Sequence, residues 1–197
     1  MPEPVTSLSF PVILGSVRRD RVGIRAARLL VAALSARGHR PELIDPLVEQ
    51  LPLLDRMYKE HAKGQAPANL ERLAELYRRA DGFVIVSGEY NNGIPPALKN
   101  LLDHFLEEYF WRPSAIVCYS SGQFGGVRAA MQLRMTLAEM GMSSIPSIFP
   151  VPRIAQALDE DGRPTENWVE SRLNRFLDEF CWYARAMKRE RTDGTPY

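Results

Sequence analysis

The sequence predicts a doubly wound α/β protein, one parallel sheet with helices packed on both of its faces. Three observations carry that prediction. Apolar runs of strand length alternate along the chain with longer segments whose apolar residues recur at steps of three and four. One run, Gly82 to Ser87, is apolar almost without a break, as a strand buried on both faces is. Three of the strand-like runs lead directly into loops rich in glycine, serine or asparagine. At 197 residues the chain is long enough for one such domain with a full core and short for two, so residues 1–197 are read as a single domain.

The first strand is Leu8 to Leu14, ending abruptly at Gly15-Ser16. Pro11 cannot donate to a sheet ladder, so the strand is expected to begin at or near it or to be locally irregular. A helix follows from about Arg21 to Arg37, with Ile24, Ala27, Val31 and Leu34 on one face and Gly38 as its left-handed stop. His39 to Asp45 is a second strand closed by Pro46, and Pro46 to Ala68 reads as an irregular loop with a helical turn. Asn69 to Ala80 is helical, with Leu70, Leu73, Leu76 and Tyr77 on one side, and leads into the third strand, Gly82 to Ser87. After the loop Ser87 to Pro96, Pro96 suits a first helical turn, and Leu98, Leu101, Leu102, Phe105 and Leu106 supply a buried face. The fourth strand is Ala115 to Tyr119, followed by the loop Ser120 to Gly126 and a helix to Met140. A fifth strand spans about Ser143 to Phe149, and after a long connection a final helix runs from about Thr165 to Arg189. Residues 192–197 are expected to be a disordered tail.

Composition removes several function classes. The formal net charge is +1, with arginines interleaved among acids, so no field favours nucleic acid or an anionic membrane as partner. Met1 to Ser7 lacks the basic-then-apolar plan of a signal peptide, and a cytoplasmic location follows by default. Cys118 lies in a strand and Cys181 in a helix, as reduced core residues do. His39, His61 and His104 lack ligand spacing, so no metal site is predicted. Lys99 and Asp103 read as an exposed helical pair, while Tyr109 and Trp111 suit a cleft rim, a subunit contact or a structural role.

Ligands of open parallel sheets bind beyond the carboxyl ends of the strands, where strand order reverses. Three loops with unusual residues leave such ends. In the first, Gly15 allows a tight turn, the Ser16 hydroxyl can donate to an anion, and Arg18 and Arg21 add charge beside the N–H groups that open the next helix. It has neither the Gly-x-Gly-x-x-Gly of a dinucleotide site nor the Gly-Lys-Ser/Thr of a triphosphate site, so it predicts a single-phosphate cradle. The second loop, Gly88 to Gly93, offers backbone N–H groups and amides suited to the polar edge of a flat heterocycle. The third, Ser120 to Gly126, has glycines that let the backbone approach a planar ligand. No nucleophile, triad or metal cluster emerges.

The string Glu89-Tyr90-Asn91, with Ile94-Pro95, Leu98-Lys99-Asn100 and Asp103, resembles the signature of the NADPH-dependent FMN reductase family. The likeness extends to Gly15-Ser16-x-Arg18, to Ser121-Gly122, and to Gly125-Gly126-x-Arg128-Ala129 with Leu133-Arg134 and Leu137. The resemblance implies a flavodoxin-like three-layer sandwich with a five-stranded parallel sheet in the order 2-1-3-4-5. It implies FMN as cofactor and NADPH or NADH as co-substrate. The activity implied is an NAD(P)H oxidoreductase delivering electrons through flavin to a quinone, azo, flavin or metal-ion acceptor. Carried over by position, Gly15, Ser16, Arg18 and the backbone from Arg21 through Val22 to Gly23 hold the phosphate. Glu89, Tyr90 and Asn91 border the isoalloxazine ring, and Ser121, Gly122 and Gly125 close its other side. Many relatives have serine where this chain has Arg21 and proline where it has Gly88, a change that bears on the stiffness of the ring-binding loop. The resemblance also implies a homodimer or homotetramer built on the helices after the third and fourth strands, to which the apolar segment Phe105 to Trp111 is suited. A flavodoxin-like electron carrier or a non-catalytic flavin-binding module is the alternative. Such carriers are usually strongly acidic, and this chain is not.

Overall fold

The computed structural model of the chain describes residues 7–197. The N-terminal reading from Met1 rests on residues 1–6, outside those described. Five strands, β1 (Ser9–Leu14), β2 (Arg40–Ile44), β3 (Phe83–Ser87), β4 (Pro113–Tyr119) and β5 (Ser143–Val151), form one sheet in the order β2-β1-β3-β4-β5. Every neighbouring pair is parallel. The connections are α1 (Gly23–Ala36), α2 (Pro46–Glu49), α3 (Ala68–Arg79), α4 (Pro96–Asp103), α5 (Val127–Glu139), α6 (Ile154–Ala157) and α7 (Asn167–Thr192). The layering is the expected one. On one face Ala26, Leu30 and Leu34 of α1 and Leu173, Leu177 and Phe180 of α7 cover Phe10, Val84 and Val117. On the other, Leu73 and Tyr77 of α3, Leu98 and Leu102 of α4 and Leu133 of α5 cover Ile13, Ile85 and Ile116.

Pro11 proves to be the third residue of β1, paired with Glu42 of β2. The hydrogen-bond parity explains why it is tolerated. Leu8 accepts from Arg40 on the β2 side, whereas the carbonyl of Ser9 accepts from Asp81 and the N–H of Gly15 donates to Val86, both on the β3 side. Odd-numbered residues therefore face β3, and Pro11 lies just before the β1–β3 register begins at Val12↔Val84. The missing N–H falls where the ladder has barely started. At the sheet's edge, β5 runs two residues beyond the expected end and carries Pro146 and Pro150, with a register shift against β4 between Ser114 and Ile116.

The segment after β2 lacks helical periodicity because polar side chains organise it. Asp45 accepts from the Leu47 N–H and starts α2, Gln50 ends it in a left-handed conformation, and Glu49 is buried against Arg72 of α3. Asn100 of α4 binds both the Leu54 N–H (2.9 Å) and the Pro52 carbonyl (2.8 Å). At the opposite end of the sheet, buried Asp81 accepts from the Ser9 N–H, Lys188 and Arg191, anchoring the last turns of α7. Beyond α7, Tyr197 lies against Phe110 and Trp111, and the Trp111 indole donates to the Tyr197 carbonyl. Among the described residues no helix is long and apolar enough to cross a membrane.

Candidate active site

Because all strands are parallel, the loops after β1, β3 and β4 emerge at one end of the sheet, and β1 neighbours β3 at the reversal of strand order. They enclose a cavity of about 140 Å³ lined by Ser16, Arg18, Asp20, Arg21 and Val22 from the first loop, Gly88, Glu89 and Tyr90 from the second, and Tyr119, Ser120 and Ser121 from the third. Seven of the residues expected from the sequence therefore share one cleft: Ser16, Arg18, Arg21, Val22, Glu89, Tyr90 and Ser121.

Two helix N-termini open beside this cleft, and they are treated differently. α5 begins at Val127 after Gly126, which has no side chain to cap it. Glu89 supplies the missing acceptor from the neighbouring loop, taking the N–H of Arg128 at 2.9 Å and of Ala129 at 3.2 Å. These are the second and third helical positions, the donors that a capping side chain satisfies. α1 has no such partner. Its cap position is Val22, no side chain bonds to its first N–H groups, and its first turn holds no acid. The Arg25 N–H is taken by the Val22 carbonyl at 3.1 Å, while those of Gly23 and Ile24 remain as donors, and the positive end of the helix dipole lies beside the cavity that Ser16, the exposed Arg18 and the exposed Asp20 line. One anion with several acceptor oxygens fits this donor set.

Arg21 is used differently from Arg18. Its guanidinium is forked onto Asp45, with Nη1 at 2.5 Å from Oδ1 and Nη2 on Oδ2, and Nη1 also donates to the Ser16 carbonyl at 3.1 Å. It bolts the first loop to the end of β2 and is also one of the residues that line the cleft. Asp45 escaped the sequence reading, and its signal was there: an acid just before Pro46, at the carboxyl end of a strand adjoining the loop.

The second loop is a hairpin tip. Tyr90 and Gly93 exchange backbone hydrogen bonds at 3.0 and 2.9 Å, and Asn91 and Asn92 both have positive φ, 50° and 66°. That pair of angles is the turn that asparagine tolerates best. The Tyr90 N–H is consequently committed within the turn, and Asn91 is exposed at its tip rather than on the cavity wall. In the third loop, Gly122 is exposed and its carbonyl takes the Arg153 N–H at 2.9 Å. Gly125 turns away from the cleft. Its N–H is held by Ser120 at 3.0 Å, and a Cβ there would lie 3.1 Å from Pro150. Gly15 likewise serves packing rather than a left-handed turn, since a Cβ on it would press Leu98 at 3.0 Å. Gly23, the first residue of α1, faces the side chain of Tyr119.

Tyr119 is the residue of the cleft that sequence reasoning missed, having been counted only as the end of a strand. It is 7% exposed, and burial pushes its phenol up to about 12, with Ser16 as the polar neighbour pulling the other way. Trp111 and Tyr109, by contrast, precede β4 and lie at the far end of the sheet, Tyr109 fully buried among Tyr77, Phe83 and Phe105. Lys99 and Asp103 form the expected ion pair on α4. Among the described residues no group of three or more His, Cys, Asp or Glu is placed to hold a metal ion.

The family described as NADPH-dependent FMN reductase matches residues 10–156. The chain belongs to that family. Its cofactor is accordingly FMN and its reductant NAD(P)H, and the uncapped α1 with Ser16 and Arg18 is a donor set that fits a phosphate monoester. The chain is 34% identical over 134 residues to a quinone reductase of Escherichia coli strain K12, an alignment covering 66% of this chain and 69% of the relative. It is 28% identical over 152 residues to an NADPH azoreductase of a Bacillus species, covering 75% of this chain and 83% of the relative. Among solved structures it resembles FerB, an NAD(P)H:acceptor oxidoreductase of Paracoccus denitrificans. The TM-score is 0.77 at 22% identity, over 91% of this chain and 98% of that one. As a member of the FMN reductase family the chain is an oxidoreductase with the flavodoxin-like fold.

Proposed function

We propose that this FMN reductase uses NAD(P)H to reduce a small diffusible acceptor of the quinone or azo class, with FMN seated across the three loops. The observation that carries this reading is the asymmetry of the two helix N-termini, one capped by Glu89 and the other left open beside Ser16 and Arg18. The chemistry that FMN supplies when bound is the uptake of two electrons from NAD(P)H and their release to the acceptor. The chain's own residues bind and orient. The α1 N–H groups, Ser16 and Arg18 hold the phosphate, while Arg21, braced by Asp45, keeps the first loop in shape. The Tyr90 side chain and the Asn91 tip border the ring on one side, and Ser121 and Gly122 border it on the other. Glu89 fixes the distance between those two borders by tying the second loop to α5. Quinone and azo acceptors are proposed because the relatives named above are reductases of those compounds.

An electron-carrier role is disfavoured by the net charge of +1, since a one-electron carrier that docks by charge needs a stronger field. The chain is further proposed to act in the cytoplasm, where its two buried free cysteines stay reduced, and to work as a homodimer. The segment Phe105 to Trp111 no longer supports association, because Phe105 and Tyr109 are consumed in the core. Support comes instead from α5, where Met131 and Met135 are 48% and 70% exposed, with Phe124, 54% exposed, just before the helix.

The test is a steady-state screen of NADPH and NADH oxidation by the FMN-loaded protein against quinones, azo dyes, metal ions and free flavin. Turnover highest with quinones or azo dyes is expected. A yellow protein that oxidises neither nicotinamide with any acceptor would point to the carrier, and a protein that takes up no flavin would remove the reading altogether.

A further inference from the structure

Tyr119 ends β4 with its side chain on the α1 face of the sheet, wedged between two glycines. A Cβ built on Gly23 would stand 2.1 Å from the phenol oxygen and 2.3 Å from Cζ. One on Gly88 would stand 3.2 Å from each of the same two atoms. The hydroxyl therefore lies against the first residue of α1, at the helix end left without a cap, and lines the same cavity as Ser16 and Arg18. Its polar neighbour is Ser16, which lines the same cavity, so the oxygen is held at the cradle rather than buried among apolar groups. The charges of Arg18 and Arg21 reach it, and it stays protonated at neutral pH, so it offers a proton to an acceptor.

We propose that the Tyr119 hydroxyl is a direct ligand of the FMN phosphate, donating from the floor of the cradle opposite Arg18, with Gly23 and Gly88 present to admit its ring. This rests on the placement of the phosphate at α1 given above. It also gives Gly88 a purpose. A Cβ at that position would crowd the ring, which would have to give by a few tenths of an ångström.

The experiment is a titration of FMN and of riboflavin into flavin-free protein, wild type and Tyr119→Phe, followed by quenching of flavin fluorescence. The phenylalanine ring keeps the packing and removes only the donor. FMN affinity should fall by about ten- to a hundredfold, the range for one hydrogen bond to a charged group, while riboflavin affinity stays within about twofold. Gly23→Ala, which displaces the hydroxyl without deleting it, should narrow the FMN-over-riboflavin preference as well. Equal losses for both flavins in Tyr119→Phe would make Tyr119 a shaping residue of the cleft and overturn the inference. So would an unaltered preference in both variants. If the wild type itself binds the two flavins equally, the phosphate cradle fails and the Tyr119 assignment falls with it.

Discussion

Replacing Glu89 separates two roles that its place in the family signature cannot distinguish. Its carboxylate takes the N–H of Arg128 and of Ala129 at the start of α5 and lies 3.4 Å from the Arg128 guanidinium. Glu89→Ala deletes a cap, which costs about 1 kcal/mol, and a negative charge at a helix N-terminus, which adds about 0.3–1 kcal/mol. The ion pair with Arg128 adds little, because the arginine is half exposed. The sum, about 1.5–2 kcal/mol, corresponds to a fall in unfolding temperature of about 3–8 °C for a chain of this size. Glu89→Gln retains an acceptor and loses the charge, so it should recover part of that fall. Thermal unfolding of the flavin-free protein gives the first number, and FMN and riboflavin titrations give the second, with both flavins weakened together as the loops after β3 and β4 loosen. A Glu89→Ala protein that melts with the wild type yet loses its flavin would refute the capping role and make Glu89 a direct ligand.

Arg18→Ala should weaken FMN by about ten- to a hundredfold and leave riboflavin alone, with no change in the stability of the flavin-free protein, because Arg18 makes no ion pair among the described residues. Asp45→Asn leaves the largely buried Arg21 guanidinium without its counter-charge and should cost about 2–3 kcal/mol in urea unfolding. An unchanged midpoint would mark the pair as a surface contact. His39 accepts the Leu8 N–H on Nδ1, so its proton sits on Nε2 facing Cys181, and burial holds its pKa below the ordinary 6.5. Its contribution to stability is therefore complete above pH 6.5 and lost as the pH falls through the lowered folded value, with Arg185 and Arg37 disfavouring and Asp81 favouring its charge. Urea unfolding from pH 7.5 to 5 should fall more steeply for the wild type than for His39→Gln, and parallel profiles would contradict this assignment. Met135→Glu should convert the proposed dimer to a monomer in sedimentation, whereas an unaltered mass would move the interface elsewhere.

The strands and their covering helices were legible because continuous apolar runs and period-3.6 patterns report burial directly, whereas the order of the strands came only with the family resemblance. The segment between β2 and α3 was not legible, since Glu49 and Asn100 hold it through partners 23 and 46 residues away that no local pattern encodes, while Asp45 and Glu71 fix its two ends by short-range bonds without helical periodicity. Pro11 was misjudged because its cost depends on which neighbour its missing N–H faces, a property of register rather than composition. In the cleft, the loops carrying the donors could be located, but not how each side chain is spent. Arg18 and Arg21 look alike in sequence, yet Asp45 claims one of them. Glu89 appears in the signature as a ring residue, and only the position of α5 reveals it as a cap. Gly125 reads as an approach to the ligand, although its neighbours are Pro150 and Pro152. Tyr119 was hidden by its own hydrophobicity, as the last residue of an apolar strand.

The central claim, that the open N-terminus of α1 holds the FMN phosphate, is tested most directly by a crystal structure of the protein soaked with FMN. The account predicts the phosphate within hydrogen-bonding distance of the Ser16 hydroxyl and the Gly23 N–H, with the Arg18 side chain folded over it and the α5 N-terminus still occupied by Glu89. A phosphate seated at α5 with Glu89 displaced, or one pointing to solvent while only the ring is held, would contradict it.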